Sequence, residues 1–231
     1  MAVEFESSLI HTAELLGDRR RLSILTALLD GKAWPAGDLA RHAGIKPATA
    51  SYHLEQLVQG RLLAVLAQGR HRYYRLASHE VADLLEKLAA VVPPAPTRSL
   101  RGSTQRNLLS HARTCYDHLA GRLGVAWTEA WVNSERMLQV EAGYRITELG
   151  SQWLTKARLG APSGMLVPAH AIDWTERVPH MAGPLAKALT EALFEQGWIE
   201  RGAVARSVIV TESGRIAFEE FGVPREVLSV S

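Results

Sequence analysis

The sequence predicts a mainly α-helical protein with small β-hairpins, in the α+β class. Apolar residues recur at helical spacing over much of residues 1–92, and glycine turns and short alternating runs separate these stretches. A thirteen-residue run, His118–Ala130, returns as His180–Ala192 with eight identical residues. Within a chain of 231 residues, this repeat predicts a duplicated unit that follows the first domain.

The composition excludes several classes of protein. Hydrophobic residues make up 47% and charged residues 22% of the chain, which is ordinary globular composition. No run approaches the roughly 18 apolar residues of a membrane span, and the acidic segment Met1–Ile10 lacks the features of a signal peptide. The single cysteine, Cys115, excludes an internal disulfide. We therefore expect a cytoplasmic protein without a membrane partner.

Two helices are predicted at the start of the chain. The first carries apolar residues at helical spacing and ends near Gly17. Asp18 has the side chain of a good N-cap for a second helix over Arg19–Leu29. The inner face of this second helix is predicted to consist of Leu22, Leu25 and Leu29.

A helix-turn-helix follows these two helices. A short helix over Ala36–His42 leads to the turn Ala43–Ile45, where Gly44 can adopt a positive φ. Pro47 suits the first turn of the next helix, whose apolar residues Ala50, Leu54 and Leu57 share one face. The opposite face presents small polar groups, as expected of a helix that reads DNA: Thr49, Ser51, Tyr52, Glu55 and Gln56.

A basic β-hairpin is predicted after Gly60. Its tip, Gln68–Arg70, is followed by His71 and Arg72, so it suits a wing that lies along a phosphate backbone or reaches into a minor groove. Ser78 caps a last helix of this domain. The window from Arg41 to Arg75 contains six basic residues and one acidic residue, a charge pattern typical of a polyanion-binding surface.

Three segments together resemble the ArsR/SmtB family of winged-helix repressors: GDRRRLSILTALLDG, LARHAGIKPATASYHLEQLVQGRLL and GRHRYYRL. The resemblance covers residues 4–92. It implies a homodimer whose first and last helices form the interface, bound to a near-palindromic double-stranded DNA operator. Lys46 and Ala48 depart from the serines that many members carry, and the metal-binding motifs of the family are missing, so we do not expect classical metal sensing in this domain.

The resemblance and the helix pattern together predict the DNA contacts. We expect side chains of the recognition helix to enter the major groove and side chains of the wing to contact the backbone. His53 lies on the inward side of the helix, which favours a structural group over a base reader. The predicted DNA-binding residues are Lys46, Thr49, Ser51, Tyr52, Gln56, Arg70 and Arg72.

A proline-rich stretch marks the predicted domain boundary. Pro93, Pro94 and Pro96 fall in a linker over residues 93–103, between a DNA-binding and dimerisation domain (1–92) and a duplicated effector-sensing domain (104–231). Each copy is predicted to begin a helix at its histidine and to continue with a hairpin and a helix that starts at threonine. The C-terminal half thus resembles two winged-helix-like units, about 104–160 and 165–224.

The two copies are expected to pack about a pseudo-twofold axis, with equivalent residues facing each other. His118 and His180 would then meet, and Gly121 and Gly183 would allow close backbone approach. An effector pocket at this seam is predicted from Cys115, His118, Trp127, Trp174 and His180. The alternative is that these matched residues are core packing inherited from duplication.

Chemistry at the seam stays open. A predicted helix over Arg106–Gly121 places Cys115 and His118 on one face, with His111 a turn before them. Asp173 and His180 of the second copy could join them. One alternative is therefore a metal or haem bound through Cys115, His118 and His180, and another is a redox switch at Cys115. The sequence requires no cofactor and spells out no complete metal site, and a buried apolar role for the cysteine is equally open.

The function predicted from these features is a repressor that an unknown small-molecule effector regulates. A metal-, haem- or redox-responsive regulator and an architectural DNA binder are the alternatives. Residues 98–231 contain 15 basic and 14 acidic residues, so this half has no strong polyanion surface. An enzyme is not expected, because the chain lacks a glycine-rich nucleotide turn and the motifs G-x-S-x-G and H-E-x-x-H in suitable context.

Overall fold

The computed structural model describes residues 2–69, 71–92, 100–169 and 171–229. The chain divides into two compact units, Met1–Leu85 and Glu86–Ser231. Helices and small antiparallel sheets make up both units, which confirms the predicted α+β class. Among the helices in the described ranges, none is long and apolar enough to cross a membrane.

The first unit has the element order of a winged helix-turn-helix. Strand order in its sheet is β1-β3-β2, and both pairs are antiparallel. The final helix α5 begins in this unit and continues past its last residue. The elements are α1 (Ala2–Gly17), α2 (Arg19–Ala27), a 3-10 helix (Leu28–Asp30), β1 (Trp34–Pro35), α3 (Ala36–Ala43), α4 (Pro47–Gln59), β2 (Leu63–Gln68), β3 (His71–Leu76) and α5 (His79–Val91).

Local sequence determines most of these boundaries. Asp18 caps α2 by accepting hydrogen bonds from the amides of Arg20 and Arg21 at 2.8 and 3.0 Å. Gly44 follows α3 with a φ of +64°, and Pro47 is the first residue of α4. The predicted inner face of α4 is confirmed, because its three apolar residues are fully buried: Ala50, Leu54 and Leu57.

The predicted inner face of the second helix is confirmed in part. Leu25 and Leu29 are buried as predicted, whereas Leu22 is 39% exposed and Ile24 is buried instead. Several apolar residues crowd this segment, so more than one helical stripe is available, and tertiary packing selects the one that contains Ile24. The helix also ends at Ala27 and tightens into the 3-10 turn, which changes the direction of the last side chains.

The second unit contains two repeats and a set of short hairpins. A further 3-10 helix covers Arg225–Val227. The elements are α6 (Leu100–His111), β4 (Arg113–Cys115), β5 (His118–Ala120), α7 (Gly121–Asn133), β6 (Met137–Val140), β7 (Gly143–Ile146), α8 (Glu148–Lys156), β8 (Leu166–Pro168), β9 (Ala171–Ile172), β10 (Pro179–His180), α9 (Gly183–Glu195), β11 (Ile199–Arg201), β12 (Val208–Val210) and α10 (Glu212–Phe221).

The predicted order of helix, hairpin and threonine-capped helix occurs in both repeats, as α7-β6-β7-α8 and α9-β11-β12-α10. Thr147 and Thr211 cap α8 and α10 through their hydroxyls. The same closing hydrogen bond follows the first helix of each repeat and also follows α4 in the first unit. At these three helices it joins Leu62 N to Leu57 O (2.9 Å), Arg136 N to Trp131 O (3.0 Å) and Trp198 N to Leu193 O (2.9 Å), and the same type of bond also closes α3, α8 and α10. The two repeats therefore share the backbone turn that leads into the wing.

The predicted helix over Arg106–Gly121 is wrong. Helix α6 ends at His111, and β4 and β5 form a tight hairpin in which Cys115 and His118 are direct cross-strand partners. Tertiary bonds override the helical pattern here, because the amide of Thr114 donates to the carbonyl of Arg206 at 2.9 Å. Cys115 and His118 thus do not lie one turn apart on a helix.

The predicted helix start at each histidine is also wrong. His118 and His180 lie on β5 and β10, and the helices α7 and α9 begin at Gly121 and Gly183. Both glycines have a φ of +78°, which is outside the right-handed helical region, so a helix cannot run through them from the histidine.

The proline-rich prediction falls partly outside the described residues. Residues 93–99, which include Pro93, Pro94 and Pro96, are not described. Helix α6 already begins at Leu100, inside the predicted linker 93–103.

Candidate nucleic-acid interface and buried histidine seam

Helix α4 presents a polar face to solvent. Thr49, Ser51 and Tyr52 are exposed, and Gln56 is half-buried. The hydroxyl of Ser51 donates to the carbonyl of Pro47 at 3.1 Å, which leaves its oxygen lone pairs free to accept from a base edge. This face therefore carries donors and acceptors on short side chains that allow close approach to a groove.

The N-terminus of α4 offers a second feature. Lys46 is the N-cap residue, is exposed, and makes no side-chain cap bond. The amides of the first helical turn are therefore not capped by that side chain, and the helix dipole places partial positive charge there. An ammonium group beside uncapped amides suits a phosphate oxygen.

The wing is a regular two-stranded hairpin. In the antiparallel pair of β2 and β3, Leu63 lies opposite Leu76 and Gln68 lies opposite His71. Gly69 at the tip has a φ of +60°. Arg72 is exposed on β3, whereas Arg70 lies outside the described residues. An open groove of about 700 Å³ runs between α4 and the wing, and its lining includes Ser51, Glu55 and Arg72. The predicted groove reader and the predicted backbone contact thus border the same concave surface.

His53 does not belong to this surface. Its side chain is buried, as expected of a structural group, and its ring lies edge-on to Tyr52 with centroids 5.7 Å apart. Its Nδ1 has no hydrogen-bond partner among the described residues.

The two repeat histidines meet in the second unit. The Nε2 atoms of His118 and His180 are 3.2 Å apart, and their ring centroids are separated by 5.1 Å. Each side chain is only 1% exposed. The Nδ1 of His118 also lies 3.4 Å from the carboxylate of Asp117. Equivalent residues of the two repeats thus face each other, as the duplication predicted.

Reciprocal hydrogen bonds join the repeats at this seam. The hydroxyl of Thr190 accepts from the amide of Leu119 at 2.9 Å, and the hydroxyl of Thr128 accepts from the amide of Met181 at 3.1 Å. Each threonine also donates to a carbonyl four residues earlier on its own helix. All four residues belong to the matched runs, so the bonds form a pseudo-symmetric pair.

A buried ion pair lies beside the seam. Arg113 and Asp173 are fully buried, and their side chains are 2.9 Å apart. Burial opposes ionisation of Asp173, but Arg113, the hydroxyl of Thr175 and the amides of Glu176 and Gly121 outweigh it and hold the pKa of this carboxyl well below its usual value. The carboxylate is therefore charged and holds the start of α7 through the amide of Gly121 at 2.6 Å.

The predicted pocket residues are brought together only in part. Cys115 is buried and is the strand partner of His118, which faces His180. Trp127 instead lies in an aromatic core, with ring contacts to Trp131, Phe218 and Phe221. Trp174 stacks on the guanidinium of Arg113, 4.6 Å from its ring centroid.

Sequence reasoning missed the roles of Arg113, Thr128 and Thr190. The two threonines stood in the repeated T-E-A, which could have indicated matched contacts across a seam. Within the part of the chain that the structure describes, no three histidine, cysteine or acidic side chains gather as a metal-binding group.

Comparison with known proteins agrees with this architecture. A helix-turn-helix domain family matches residues 16–65. The chain is 40% identical over 212 residues to the HTH-type transcriptional regulator YdfF of Bacillus subtilis (strain 168), a match that covers 90% of this chain and 94% of YdfF. The chain belongs to the HTH-type transcriptional regulators. Its N-terminal part thus has the DNA-binding fold that the motifs predicted.

A second relative matches a shorter region. The HTH-type transcriptional regulator CmtR of Mycobacterium tuberculosis (strain ATCC 25618 / H37Rv) is 39% identical over 87 residues, which covers 38% of this chain and 73% of CmtR. The prediction of a helix-turn-helix transcriptional regulator is thereby confirmed.

Among solved structures, the chain is similar to the homodimeric winged helix-turn-helix DNA-binding domain of Mb0332 from Mycobacterium bovis. The two are 29% identical with a TM-score of 0.37, and the match covers 39% of this chain and 82% of that domain.

Proposed function

We propose that this transcriptional regulator is a cytoplasmic homodimeric repressor that binds a near-palindromic double-stranded DNA operator and is controlled by a small-molecule effector. Residues 1–92 would bind DNA and dimerise, and residues 104–231 would sense the effector. The observation that carries the proposal is the exposed polar face of α4 beside a basic wing.

The DNA contacts divide by chemistry. Thr49, Ser51, Tyr52 and Gln56 would contact base edges, because they project from the helix that a helix-turn-helix inserts into the major groove. Lys46 and the uncapped amides at the start of α4 would bind one phosphate, and Arg72 would bind another along the wing. Arg70 is predicted to join the wing contact from the sequence alone.

Dimerisation is supported by two apolar faces. Helix α1 exposes Phe5 (70%) and Leu9 (58%), and helix α5 exposes Leu84, Leu88 and Val91. Isolated chains rarely expose rows of large apolar side chains along a helix. These are the helices that the family resemblance assigns to the dimer interface.

A sensing role for the C-terminal half is supported by the burial of its helices. Helices α7 and α9 occupy the place in each repeat that α4 occupies in the first unit. In contrast to α4, α7 buries Leu123, Trp127, Thr128 and Trp131 within its own unit. Because α7 is buried in this way, it cannot enter a DNA groove, which supports a different task for its repeat.

Selection of binding sites from random DNA by the full-length protein tests the DNA-binding proposal. We expect a near-palindromic consensus, and a changed consensus for Ser51→Ala, because Ser51 would contact a base. The matched control is Ser213→Ala, an exposed serine of α10, which should select the wild-type site. No enrichment of any sequence, or a consensus that Ser51→Ala leaves unaltered, would contradict the proposal. Native mass spectrometry of the same sample would report the dimer and any retained effector.

A further inference from the structure

The buried pair of imidazoles in the C-terminal unit has the geometry of a metal site. Two nitrogens that bind one tetrahedral ion at about 2.0–2.1 Å lie about 3.3 Å apart. The Nε2 atoms of His118 and His180 are 3.2 Å apart, and both side chains are almost completely buried. The strands β5 and β10 thus hold the two atoms near the separation that a shared ion requires.

The surroundings of His118 orient its lone pair toward the same point. The carboxylate of Asp117 lies 3.4 Å from Nδ1 of His118. In the tautomer with its proton on Nδ1, this nitrogen donates to Asp117, and Nε2 carries the lone pair that an ion would bind. A carboxylate that holds the far nitrogen of a histidine is the usual outer partner of a metal-binding imidazole. At His118, the adjoining carboxylate therefore suits the tautomer that an ion needs.

The backbone supports both histidines equally. Gly121 and Gly183 have the same φ of +78°, and the hydroxyls of Thr190 and Thr128 hold the amides of Leu119 and Met181, each next to one histidine. The backbone next to each histidine is thus anchored by a bond to the opposite repeat. This arrangement reduces the freedom that two ligands would lose on binding an ion.

We propose that His118 and His180 bind one late first-row divalent transition-metal ion, such as Zn²⁺ or Co²⁺, through their Nε2 atoms. Neutral imidazole is a preferred ligand of these ions, whereas Mg²⁺ and Ca²⁺ prefer oxygen. Among the described residues no third histidine, cysteine or acidic side chain joins the pair, so the two imidazoles are the protein ligands of the ion. The duplication of the thirteen-residue run thereby creates one site from two copies of the same histidine.

The inference deepens the proposed function, because the ion would be the ligand of the C-terminal half. Only the role of the ion as the regulatory effector depends on the proposed repressor function. Binding of the ion to the two histidines does not depend on DNA and is measured separately.

The experiment uses full-length protein that has been stripped with a chelator and then titrated with Co²⁺, whose visible absorption reports tetrahedral nitrogen ligation. We expect one ion per chain and competition by Zn²⁺. His118→Gln and His180→Gln should each weaken binding by more than about 100-fold, since even outer partners of metal-bound histidines contribute about 10–100-fold. The matched control is His111→Gln, the same change at a buried histidine of the same unit, which should bind Co²⁺ like the wild type.

X-ray absorption of the wild-type protein loaded with Zn²⁺ gives a second measurement that needs no variant. Outer-shell scattering from two imidazoles per ion supports the site even if a variant fails to fold. Absence of Co²⁺ and Zn²⁺ binding by the folded protein overturns it, and so does binding that both glutamine variants retain. Anisotropy of a labelled operator with the metal-free protein tests the proposed function by itself, so loss of DNA binding with intact Co²⁺ binding would reject the function and not the site.

Discussion

The hydroxyl of Thr190 accepts a hydrogen bond from the backbone amide of Leu119 at 2.9 Å, although 71 positions separate the two residues. The same hydroxyl donates to the carbonyl of Ala186 at 2.8 Å, so the side chain is used in both directions. Because Thr128 repeats this arrangement, the two copies of the repeat hold each other through their matched threonines.

Replacement of Thr190 by valine keeps the shape of the side chain but leaves the buried amide of Leu119 without an acceptor. We expect a loss of about 1–3 kcal/mol in the free energy of unfolding, which is the usual penalty for such a group. Urea unfolding followed by tryptophan fluorescence measures it, and Thr190→Ser is the matched control that retains the hydroxyl. A valine variant as stable as the serine variant would show that the bond contributes nothing.

The ion pair of Arg113 and Asp173 predicts strong coupling between two substitutions. Arg113→Met leaves a charged carboxylate buried without its main partner, and Asp173→Asn leaves a buried guanidinium with less compensation. We expect each change to destabilise the protein by about 3–5 kcal/mol. The double variant should cost clearly less than the sum of the two.

A double-mutant cycle of unfolding free energies measures this coupling. The pair of exposed Arg225 and half-buried Glu219, 2.9 Å apart, is a natural control, because solvent screening should reduce its coupling to less than about 1 kcal/mol. Additive effects at Arg113 and Asp173 would mean that each acts through separate contacts.

The N-terminal unit could be predicted from sequence because its determinants are local. The turn is specified by Gly44 and Pro47, and the inward face of α4 is specified by the spacing of Leu54 and Leu57. None of these signals depends on distant residues. The stripe of α2 could not be predicted in the same way, since several apolar stripes compete there and packing selects between them.

The C-terminal seam could be predicted only as a relation between repeats. Matched histidines indicated that His118 and His180 would meet, which the structure confirms. The hairpin that carries His118 was missed, because Thr114 is held by Arg206, 92 positions away, and no local pattern encodes that bond. Trp127 was predicted to line the pocket, but its ring belongs to the aromatic core.

His111 predicts a fall in stability under mild acid. Burial, and then the nearby charge of Arg122, lower the pKa of this histidine in the folded protein. The unfolded chain therefore binds the proton more readily, so stability is fully present above pH of about 6.5 and is lost as the pH falls toward the folded pKa. We expect His111→Gln to remove this part of the pH dependence.

Urea unfolding at a series of pH values from 8 to 5 measures the effect, and one proton can contribute at most about 1.4 kcal/mol per pH unit. Asp173 does not interfere, because its pKa is lowered in the folded protein. The stability that it contributes is therefore lost only at pH below about 4. The control is His11→Gln, at an exposed histidine of α1. Equal slopes for the wild type and His111→Gln would assign the pH dependence to other groups.

Arg72 predicts how DNA binding depends on salt. If its exposed guanidinium contacts a phosphate, Arg72→Ala should weaken binding to operator and random DNA alike and lower the slope of log K against log salt by about one. The matched control is Arg145→Ala, an exposed arginine on strand β7 of the C-terminal unit, where no DNA contact is expected. Fluorescence anisotropy over a salt series measures both variants. If Arg72→Ala lowers operator selectivity and leaves the salt slope unchanged, Arg72 contacts a base and not the backbone. If Arg145→Ala has an equal effect, the C-terminal unit also binds phosphates.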